Sequence, residues 1–370
     1  MKTRPSLTVN ILTRASCDRL TRLVSEISPF ADEILIGVDA ESTDGTFDLA
    51  CSLADLVYRF RLPGTLSPAR MLAFDYATGD WILSLDDDES LQENFAEFLP
   101  GLLADPSITH AWFVRRWIVN RDPCEYLHAG PWYPDFSLRL FRNDRSLVWK
   151  PDYIHSQYYV QGSGHIEERT SILHDELVLH TPATRAWKLD MYRRTSGPSS
   201  VEYYAPPPDA RRRAAPLRLP ASPLRPRRGI IHPEIRELQP VGLPPWKSQV
   251  VRLDLPATAQ PGEALAGEIT LLNAGVLTWS RRNDTNRNWP ILQLGCHLLD
   301  AEGGIVDFDY HRVQLPRRVR PGEQVTFVFA FAAPATPGRY LIEWDMVSEH
   351  ECWFAQCGSE VACAPLHVAP

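Results

Sequence analysis

The sequence predicts two domains of different class: an α/β domain with a mostly parallel sheet, followed by an all-β sandwich. Apolar strands alternate with amphipathic helices over residues 6–120, short β-rich segments separated by turns fill residues 249–369, and a proline-rich segment lies between them. The first pattern is typical of parallel sheets covered by helices, and the second is typical of sandwiches. We therefore predict an α/β domain at 1–200, a linker at 201–248 and a β domain at 249–370.

The α/β half begins with four short strands, each followed by a helix or a polar loop. The predicted strands are Leu7–Leu12, Glu33–Val38, Leu56–Phe60 and Trp81–Leu85. Helical spacing or helix-start residues predict helices at 20–27, at Thr46–Ala54 and from Ser67 to about Thr78. Longer strands are predicted at Ile108–Asn120, Phe136–Arg142 and Val148–Ile154, and a further helix at Trp187–Arg194.

The overall composition excludes some classes of protein. A formal net charge of −8 disfavours a general nucleic-acid-binding role, and no apolar run approaches the roughly 20 residues that span a bilayer. The seven cysteines are odd in number and scattered, which favours reduced thiols over a disulfide framework. Because the N-terminus also lacks signal-peptide features, we expect a cytoplasmic protein.

The linker combines proline with positive charge. Residues 206–245 contain eleven prolines and eight arginines against three acidic residues. Proline disrupts helices and central strands, so an extended connector is predicted. Its charge has two interpretations: a solvated linker, or a segment that attracts an anionic partner. That partner would be a polyanionic acceptor or the lipid headgroups of a membrane, which would place the protein at the inner face of the membrane.

The acidic run Asp86-Asp87-Asp88-Glu89 carries the strongest chemical signal. It directly follows the fourth predicted strand, and ligands of parallel sheets bind beyond the carboxyl ends of the strands. Asp86 and Asp88 are two residues apart, so both project to one side. Neighbouring carboxylates repel each other unless a cation neutralises them, and hard oxygen ligands suit Mn²⁺ or Mg²⁺. Asp39, which ends the second strand, lies at the same edge of the predicted sheet.

Four segments together resemble family 2 glycosyltransferases in order and spacing. They are Leu7–Thr13, Ile34–Thr46, Ala69–Ala73 and Ala77–Glu89. The resemblance covers roughly residues 5–195. It implies a GT-A fold, an inverting mechanism and a nucleoside-diphosphate sugar as donor. The acceptor would be a glycan, a lipid-linked molecule or a protein.

The resemblance also implies roles for individual residues. Asp86 and Asp88 would bind the metal ion, and we choose His180 to complete its shell. Asp135, His155 and Asp175 are the candidates for the general base that an inverting transfer requires. Asp135 belongs to a segment that looks like one found in bacterial members of the family. The residues expected to contact the donor are Thr13, Asp39, Asp44, Arg70 and Asp87.

The C-terminal half more weakly resembles immunoglobulin-like sandwich modules of bacterial carbohydrate enzymes. The segments that carry the resemblance are Asn273–Trp279, Leu294–His297, Leu315-Pro316 with Pro321-Gly322, and Gly338–Asp345. Strands are predicted at Val250–Leu255, Ala266–Leu272, Ile291–Leu299, Val325–Phe331 and Arg339–Val347. Aromatic side chains either stack on sugar rings or fill the sandwich core, and both interpretations stay open here. The aromatic residues concerned are Trp279, Trp289, Trp344, Trp353 and Phe354.

Two alternatives to a glycosyltransferase remain. A nucleotidyltransferase would be expected to carry a glycine-rich, lysine-containing phosphate loop near the N-terminus, which the segment after Thr13 lacks. A non-catalytic carbohydrate-binding or scaffolding protein with a degenerate transferase domain is the other. Arg14 and Met71 depart from the family pattern and favour it, whereas the intact pair of Asp86 and Asp88 counts against it.

Overall fold

The computed structural model describes eight stretches of the chain, which form two compact units. The described residues are 4–61, 67–122, 124–150, 158–196, 212–214, 218–238, 245–281 and 290–370. The first unit comprises Met1–Asp144, Asp152–Gln157 and Ser163–Pro240. The second comprises Arg145–Pro151, Tyr158–Gly162 and Val241–Pro370, so two short segments of the predicted α/β half group with the β-rich half.

The first unit contains the predicted alternation of strands and helices. Its helices are α1 (Cys17–Ile27), α2 (Thr46–Leu53), α3 (Ser67–Met71), α4 (Ala73–Tyr76), α5 (Phe95–Ala104), α6 (Glu176–Leu179) and α7 (Pro182–Ser196). Its first strands are β1 (Leu7–Thr13), β2 (Glu33–Asp39), β3 (Leu56–Arg61), β4 (Trp81–Asp86), β5 (Glu89–Leu91), β6 (His110–Arg121), β7 (Cys124–Leu127) and β8 (Asp135–Arg142). Two hairpin strands of the second unit, β9 (Val148–Trp149) and β10 (Tyr159–Val160), follow in the chain. The first unit then adds β11 (Gly164–His174), β12 (Arg212–Ala214) and β13 (Ile230–Glu237).

A largely parallel sheet forms the centre of this unit. Strand β1 is parallel to both β2 and β4, and β2 is parallel to β3. Beyond β4 the sheet becomes mixed, because β8 runs antiparallel to β4 and to β6. Strand β11 is parallel to β6 and antiparallel to β5, which places its end beside the acidic run. The predicted α/β sheet is therefore confirmed, and it fits a GT-A-like domain.

Every residue of β1 and β2 is buried, as expected for strands with helices on both faces. Helix α1 packs its predicted stripe of Leu20, Leu23, Val24 and Ile27 into this core. The helix predicted from Ser67 to Thr78 is instead divided into α3 and α4. Among the described residues, no helix is both long and apolar enough to cross a membrane.

Part of the predicted linker is ordered as sheet. Strand β13 runs parallel to β3, and β12 pairs with β7. Pro233 lies in the register shift between His232 and Ile235, where its missing N–H does not interrupt the ladder. Proline content alone did not reveal this strand, because an edge strand with a bulge tolerates proline.

The second unit is rich in β-strands, which form two larger sheets in addition to the two-stranded sheet of β9 and β10. Its remaining strands are β14 (Ser248–Asp254), β15 (Thr258–Ala259), β16 (Ala264–Asn273), β17 (Leu292–Asp300), β18 (Ile305–Gln314), β19 (Gln324–Ala332), β20 (Gly338–Ser348), β21 (Cys352–Trp353) and β22 (Ala362–Val368). One sheet has the order β14-β16-β19, and the other has the order β15-β22-β20-β17-β18 with β21 beside β20. All five predicted strands are present, whereas β18, β22 and the two-residue strands β15 and β21 were not predicted.

The tryptophans of this unit mostly fill its core. Trp279, Trp344 and Phe354 are at most 1% exposed and belong to one buried cluster. Trp353 is half-buried, with the guanidinium of Arg312 over its ring at 4.4 Å. Trp289 lies outside the described residues. Buried rings cannot stack on a sugar, so the core interpretation holds for the three buried side chains.

Asp345 is a buried acid in the core of the second unit, and it should make stability depend on pH. Its Oδ2 accepts a hydrogen bond from the Ala355 N–H at 2.9 Å, while its buried Oδ1 has no hydrogen-bond partner among the described residues. Burial raises the pKa of Asp345 to about 6. Because an unfolded aspartate titrates near about 4, stability from this group is fully present below about pH 4. It is lost as the pH rises towards about 6.

We therefore expect Asp345→Asn to stabilise the chain at pH 8 by about 2 kcal/mol and to leave stability at pH 4 nearly unchanged. Urea unfolding at both pH values, followed by tryptophan fluorescence, measures the difference. A variant whose stability follows the same pH profile as the wild type would contradict the assignment.

Candidate functional site

The carboxyl ends of β1, β2 and β4 meet at one edge of the parallel sheet. In the register of these strands, Leu12 pairs with Asp86, and Thr13 pairs with Val38, which precedes Asp39. The side chains of Thr13 and Asp39 are almost fully buried at this edge. The structure thus brings the strand-end residues of the predicted donor site together.

Asp86 is held between two arginines. Arg70 Nη2 donates to both carboxylate oxygens, at 2.6 and 2.9 Å, and Arg139 Nη2 donates to Oδ2 at 2.7 Å. Arg139 also donates to Glu89 Oε1 at 2.5 Å. Burial alone would raise the pKa of Asp86, but the two guanidinium groups outweigh it and lower the pKa. The carboxylate of Asp86 is therefore ionised and bound to arginine.

Asp88 lies with His174 and Glu176 instead. One potential ligand atom from each of these residues lies within 4.8 Å of the other two. His174 Nε2 is 3.3 Å from Asp88 Oδ2, and the Asp175 N–H donates to the Asp88 carbonyl at 2.8 Å. Burial opposes ionisation of Asp88, but the charge and hydrogen bond of His174 prevail and hold its pKa well below the usual range.

The acid–histidine cluster of Asp88, His174 and Glu176 fits a divalent cation by the chemistry of its donors. Carboxylate oxygens are the ligands that Mg²⁺ and Mn²⁺ prefer, and an imidazole nitrogen is compatible with Mn²⁺. Asp86 lies outside the cluster, since two arginines bind its carboxylate. Within the segment that contains His174 and Glu176, the sequence predicted His180 as the metal ligand instead. His174 ends β11 and Glu176 begins α6, so their place beside Asp88 depends on the pairing of β11.

The predicted ligand His180 adjoins the cluster without joining it. Its Nδ1 lies 3.1 Å from Glu176 Oε1. Lys188, on α7, donates from Nζ to both oxygens of Glu176, at 2.8 and 2.9 Å. Glu176 therefore contacts both His180 and Lys188 and is also a member of the candidate metal site.

Asp87 and Asp175 face a different cavity. Thr13 Oγ1 donates to Asp87 Oδ2 at 2.8 Å, and Arg218 donates to Asp175 Oδ1. Burial raises the pKa of both carboxyl groups. Both line a cavity of about 100 Å³ whose lining residues include neither Asp88, His174 nor Glu176. The backbone of Asp175 thus contacts Asp88, whereas its carboxyl group lines the other cavity, although Asp175 lies between two members of the cluster in sequence.

Asp135 is the base candidate that lies close to the cluster. Arg115 Nε and Trp117 Nε1 both donate to its Oδ2, at 2.7 and 2.8 Å. The ring of Trp117 packs edge-on against His174, with the ring centroids 4.4 Å apart. A single side chain therefore connects Asp135 to the cluster. His155, the third base candidate, lies outside the described residues.

The remaining predicted donor residues have local structural partners. Asp39 Oδ1 accepts from the Glu41 N–H at 3.0 Å, and Arg14 lies 3.8 Å from its Oδ2. Asp44 accepts from the N–H and the hydroxyl of Thr46, at 3.2 and 2.6 Å, at the start of α2. Asp44 therefore stabilises the helix start, as short polar side chains commonly do.

Residues 14–146 match the sequence model of the family described as "Glycosyl transferase family 2". This range includes Asp86, Asp88 and Asp135, whereas His174 and Glu176 lie beyond it.

Solved structures of other proteins show weaker likeness. A cycloisomaltooligosaccharide glucanotransferase from Paenibacillus is 16% identical over 34% of this chain and 14% of its own, with a TM-score of 0.22. A CARDB domain from Pyrococcus furiosus is 15% identical over 34% of this chain and 91% of its own, with a TM-score of 0.23. A β-glucosidase from Listeria innocua is 15% identical over 34% and 16%, with a TM-score of 0.22. This chain spans 14% of the length of the first of these proteins.

The range that matches the family includes strands β2, β3 and β4 of the parallel sheet and the acidic run that follows β4. Residues 14–146 are therefore supported as a family 2 glycosyltransferase domain.

Proposed function

We propose that the protein is an inverting, metal-dependent glycosyltransferase that moves a sugar from a nucleoside-diphosphate sugar to an acceptor hydroxyl. The observation that carries the proposal is the acid–histidine cluster of Asp88, His174 and Glu176. It lies where the acidic run follows a parallel strand, the place at which such sheets bind nucleotides. Among the two cations proposed, Mn²⁺ suits the imidazole of His174 better than Mg²⁺ does.

The residues around the cluster have distinct proposed roles. Thr13 and Asp39 would line the nucleotide pocket, and Arg70 would hold Asp86 in place beside the donor. Asp88, His174 and Glu176 would hold the metal ion. When bound, the ion would neutralise the diphosphate as it leaves.

Asp135 is the general base that the geometry favours. Both hydrogen bonds that reach its carboxylate from described residues end on Oδ2, which leaves Oδ1 to accept a proton. We propose that Oδ1 takes the proton of the acceptor hydroxyl as its oxygen attacks the anomeric carbon. The bond from that carbon to the diphosphate oxygen breaks on the opposite face, so the configuration inverts. Asp175 is disfavoured by its bond to Arg218 and its different cavity.

The acceptor class and the cellular location are further parts of the proposal. We propose a glycan, lipid-linked or protein acceptor, and a cytoplasmic protein whose basic linker contacts the inner face of the membrane. We also propose that the second unit is immunoglobulin-like, because two β-sheets share one buried core there.

Thermal-shift measurements with and without Mn²⁺ test the proposed activity. We expect a UDP-, GDP- or dTDP-sugar to raise the melting temperature only when Mn²⁺ is present. Saturating ligand at about 100 times Kd adds about 2.7 kcal/mol, which corresponds to roughly 5–10 °C for units of this size. A nucleotide sugar that raises the melting temperature should then be hydrolysed, or its sugar transferred to an acceptor, in an Mn²⁺-dependent manner.

Three results would count against this function. If none of the UDP-, GDP- and dTDP-sugars binds in an Mn²⁺-dependent manner, the enzyme proposal fails. Glycan binding without donor binding would favour a non-catalytic carbohydrate-binding protein. Release of pyrophosphate from a nucleoside triphosphate and a sugar phosphate would indicate a nucleotidyltransferase.

A further inference from the structure

Lys188 forms an ion pair with both carboxylate oxygens of Glu176, a member of the acid–histidine cluster. Its Nζ lies 2.8 Å from Oε1 and 2.9 Å from Oε2 of Glu176. Glu176 is almost fully buried, whereas the side chain of Lys188 is 23% exposed. Both carboxylate oxygens that could bind a metal ion are therefore engaged by an ammonium group with access to solvent.

The same lysine also acts on Asp88. Its positive charge is one of the effects that lower the pKa of Asp88, after those of His174. Two carboxylates that lie close together repel, and the lysine supplies a positive charge that offsets this repulsion. Lys188 thus performs in the protein the electrostatic task that a bound cation would perform.

We propose that Lys188 is a built-in competitor for the metal ion, holding Glu176 in the metal-free protein and releasing it when a divalent cation binds. The proposal rests on the metal site of the proposed function. An ammonium has three donors on a flexible four-carbon stem, so it can leave without rearranging the backbone. Release is required because a divalent ion and an ammonium on the same carboxylate repel each other.

The competing explanation is that Lys188 supports the metal site by orienting Glu176. The two explanations predict opposite changes in metal affinity when Lys188 is replaced. Loss of a supporting residue next to a metal ligand weakens metal binding by about 10- to 100-fold. Loss of a competitor strengthens it, because the ion no longer has to displace an ion pair.

The experiment compares Mn²⁺ binding to the full-length wild type, Lys188→Met and Lys247→Met by electron paramagnetic resonance, in the absence of nucleotide. Methionine keeps the aliphatic stem and removes the charge. Lys247 is an exposed lysine of the second unit and is the matched control. We expect Lys188→Met to bind Mn²⁺ about tenfold more tightly, and Lys247→Met to match the wild type.

Thermal unfolding provides a second measurement that does not depend on activity. Without metal, Lys188→Met should melt below the wild type, because Asp88 and Glu176 lose the positive charge of the lysine. With saturating Mn²⁺ the difference should close, which also demonstrates that the variant folds. The increase in melting temperature on adding Mn²⁺ should therefore be larger in Lys188→Met than in the wild type.

The outcomes separate this inference from the proposed function. Unchanged or weaker Mn²⁺ binding by Lys188→Met overturns the competitor role and leaves the metal site standing. Failure of the wild type to bind Mn²⁺ overturns the metal site and the inference together.

Discussion

Replacing Asp88 with asparagine should abolish Mn²⁺ binding and lower glycosyl transfer by about a thousandfold or more. Asp88 is the member of the acidic run that lies with His174 and Glu176. Asparagine keeps the shape of the side chain but removes the charge that attracts the cation. In the proposed mechanism the ion would stabilise the departing diphosphate, and loss of about 4 kcal/mol of this stabilisation corresponds to roughly a thousandfold in rate. Initial rates with saturating donor and Mn²⁺, together with Mn²⁺ binding, measure both effects.

Asp87 supplies a control from the neighbouring position. Its carboxylate accepts from Thr13 and from the Arg14 N–H, away from the cluster. Asp87→Asn should therefore keep its affinity for Mn²⁺ to within about a factor of two, whatever it does to donor binding. Circular dichroism establishes that both variants fold. Equal loss of Mn²⁺ binding in the two variants would show that the acidic run binds the ion collectively and that the alternation of its side chains is irrelevant.

The sequence predicted the sheet well because its signals are local. Buried strands such as β1 and β2 are continuous apolar runs, and the stripe on α1 has helical spacing. The acidic run was located for the same reason, since it directly follows a strand that could be recognised on its own. Local patterns therefore sufficed to find the edge of the sheet at which the candidate site lies.

The partners of the acidic run were harder to predict, because they depend on the register of a distant strand. His174 ends β11, which pairs with β5 so that His174 faces Glu89. That register places His174 and Glu176 beside Asp88 and directs Asp175 to the other cavity. Asp175 and His180 were chosen from the same short segment, but no local pattern states which residues of that segment share a side with Asp88.

The two arginines on Asp86 were a second feature that spacing could not reveal. Arg70 and Arg139 come from different elements, α3 and β8. Arg139 lies beside Asp86 because β8 pairs with β4, and Arg70 contacts Asp86 from α3. The sequence predicted Asp86 and Asp88 as a metal-binding pair. The structure gives them different partners, arginines for Asp86 and an imidazole for Asp88.

Arg139 should be among the most important side chains for the stability of the first unit. Its side chain is 5% exposed, and its Nη2 connects Asp86 to Glu89, whose side chain is fully buried. Arg139→Met removes the cation and leaves Glu89 charged and buried, with the Asp86 N–H as its remaining donor among the described residues. Breaking a buried pair by removing one partner costs about 3–5 kcal/mol. We expect the melting temperature to fall by roughly 10 °C.

A second substitution and a surface control distinguish this mechanism from simple loss of packing. Glu89→Gln in the Arg139→Met background removes the uncompensated charge, so it should recover about half of the lost stability, since the amide still accepts from the Asp86 N–H. Arg61→Met breaks an ion pair with Glu237 in which both side chains are about half exposed, and it should change stability by less than about 1 kcal/mol. If the double variant is less stable than Arg139→Met alone, then the arginine stabilises the unit through its packing, and the charge of Glu89 is not what makes its loss costly.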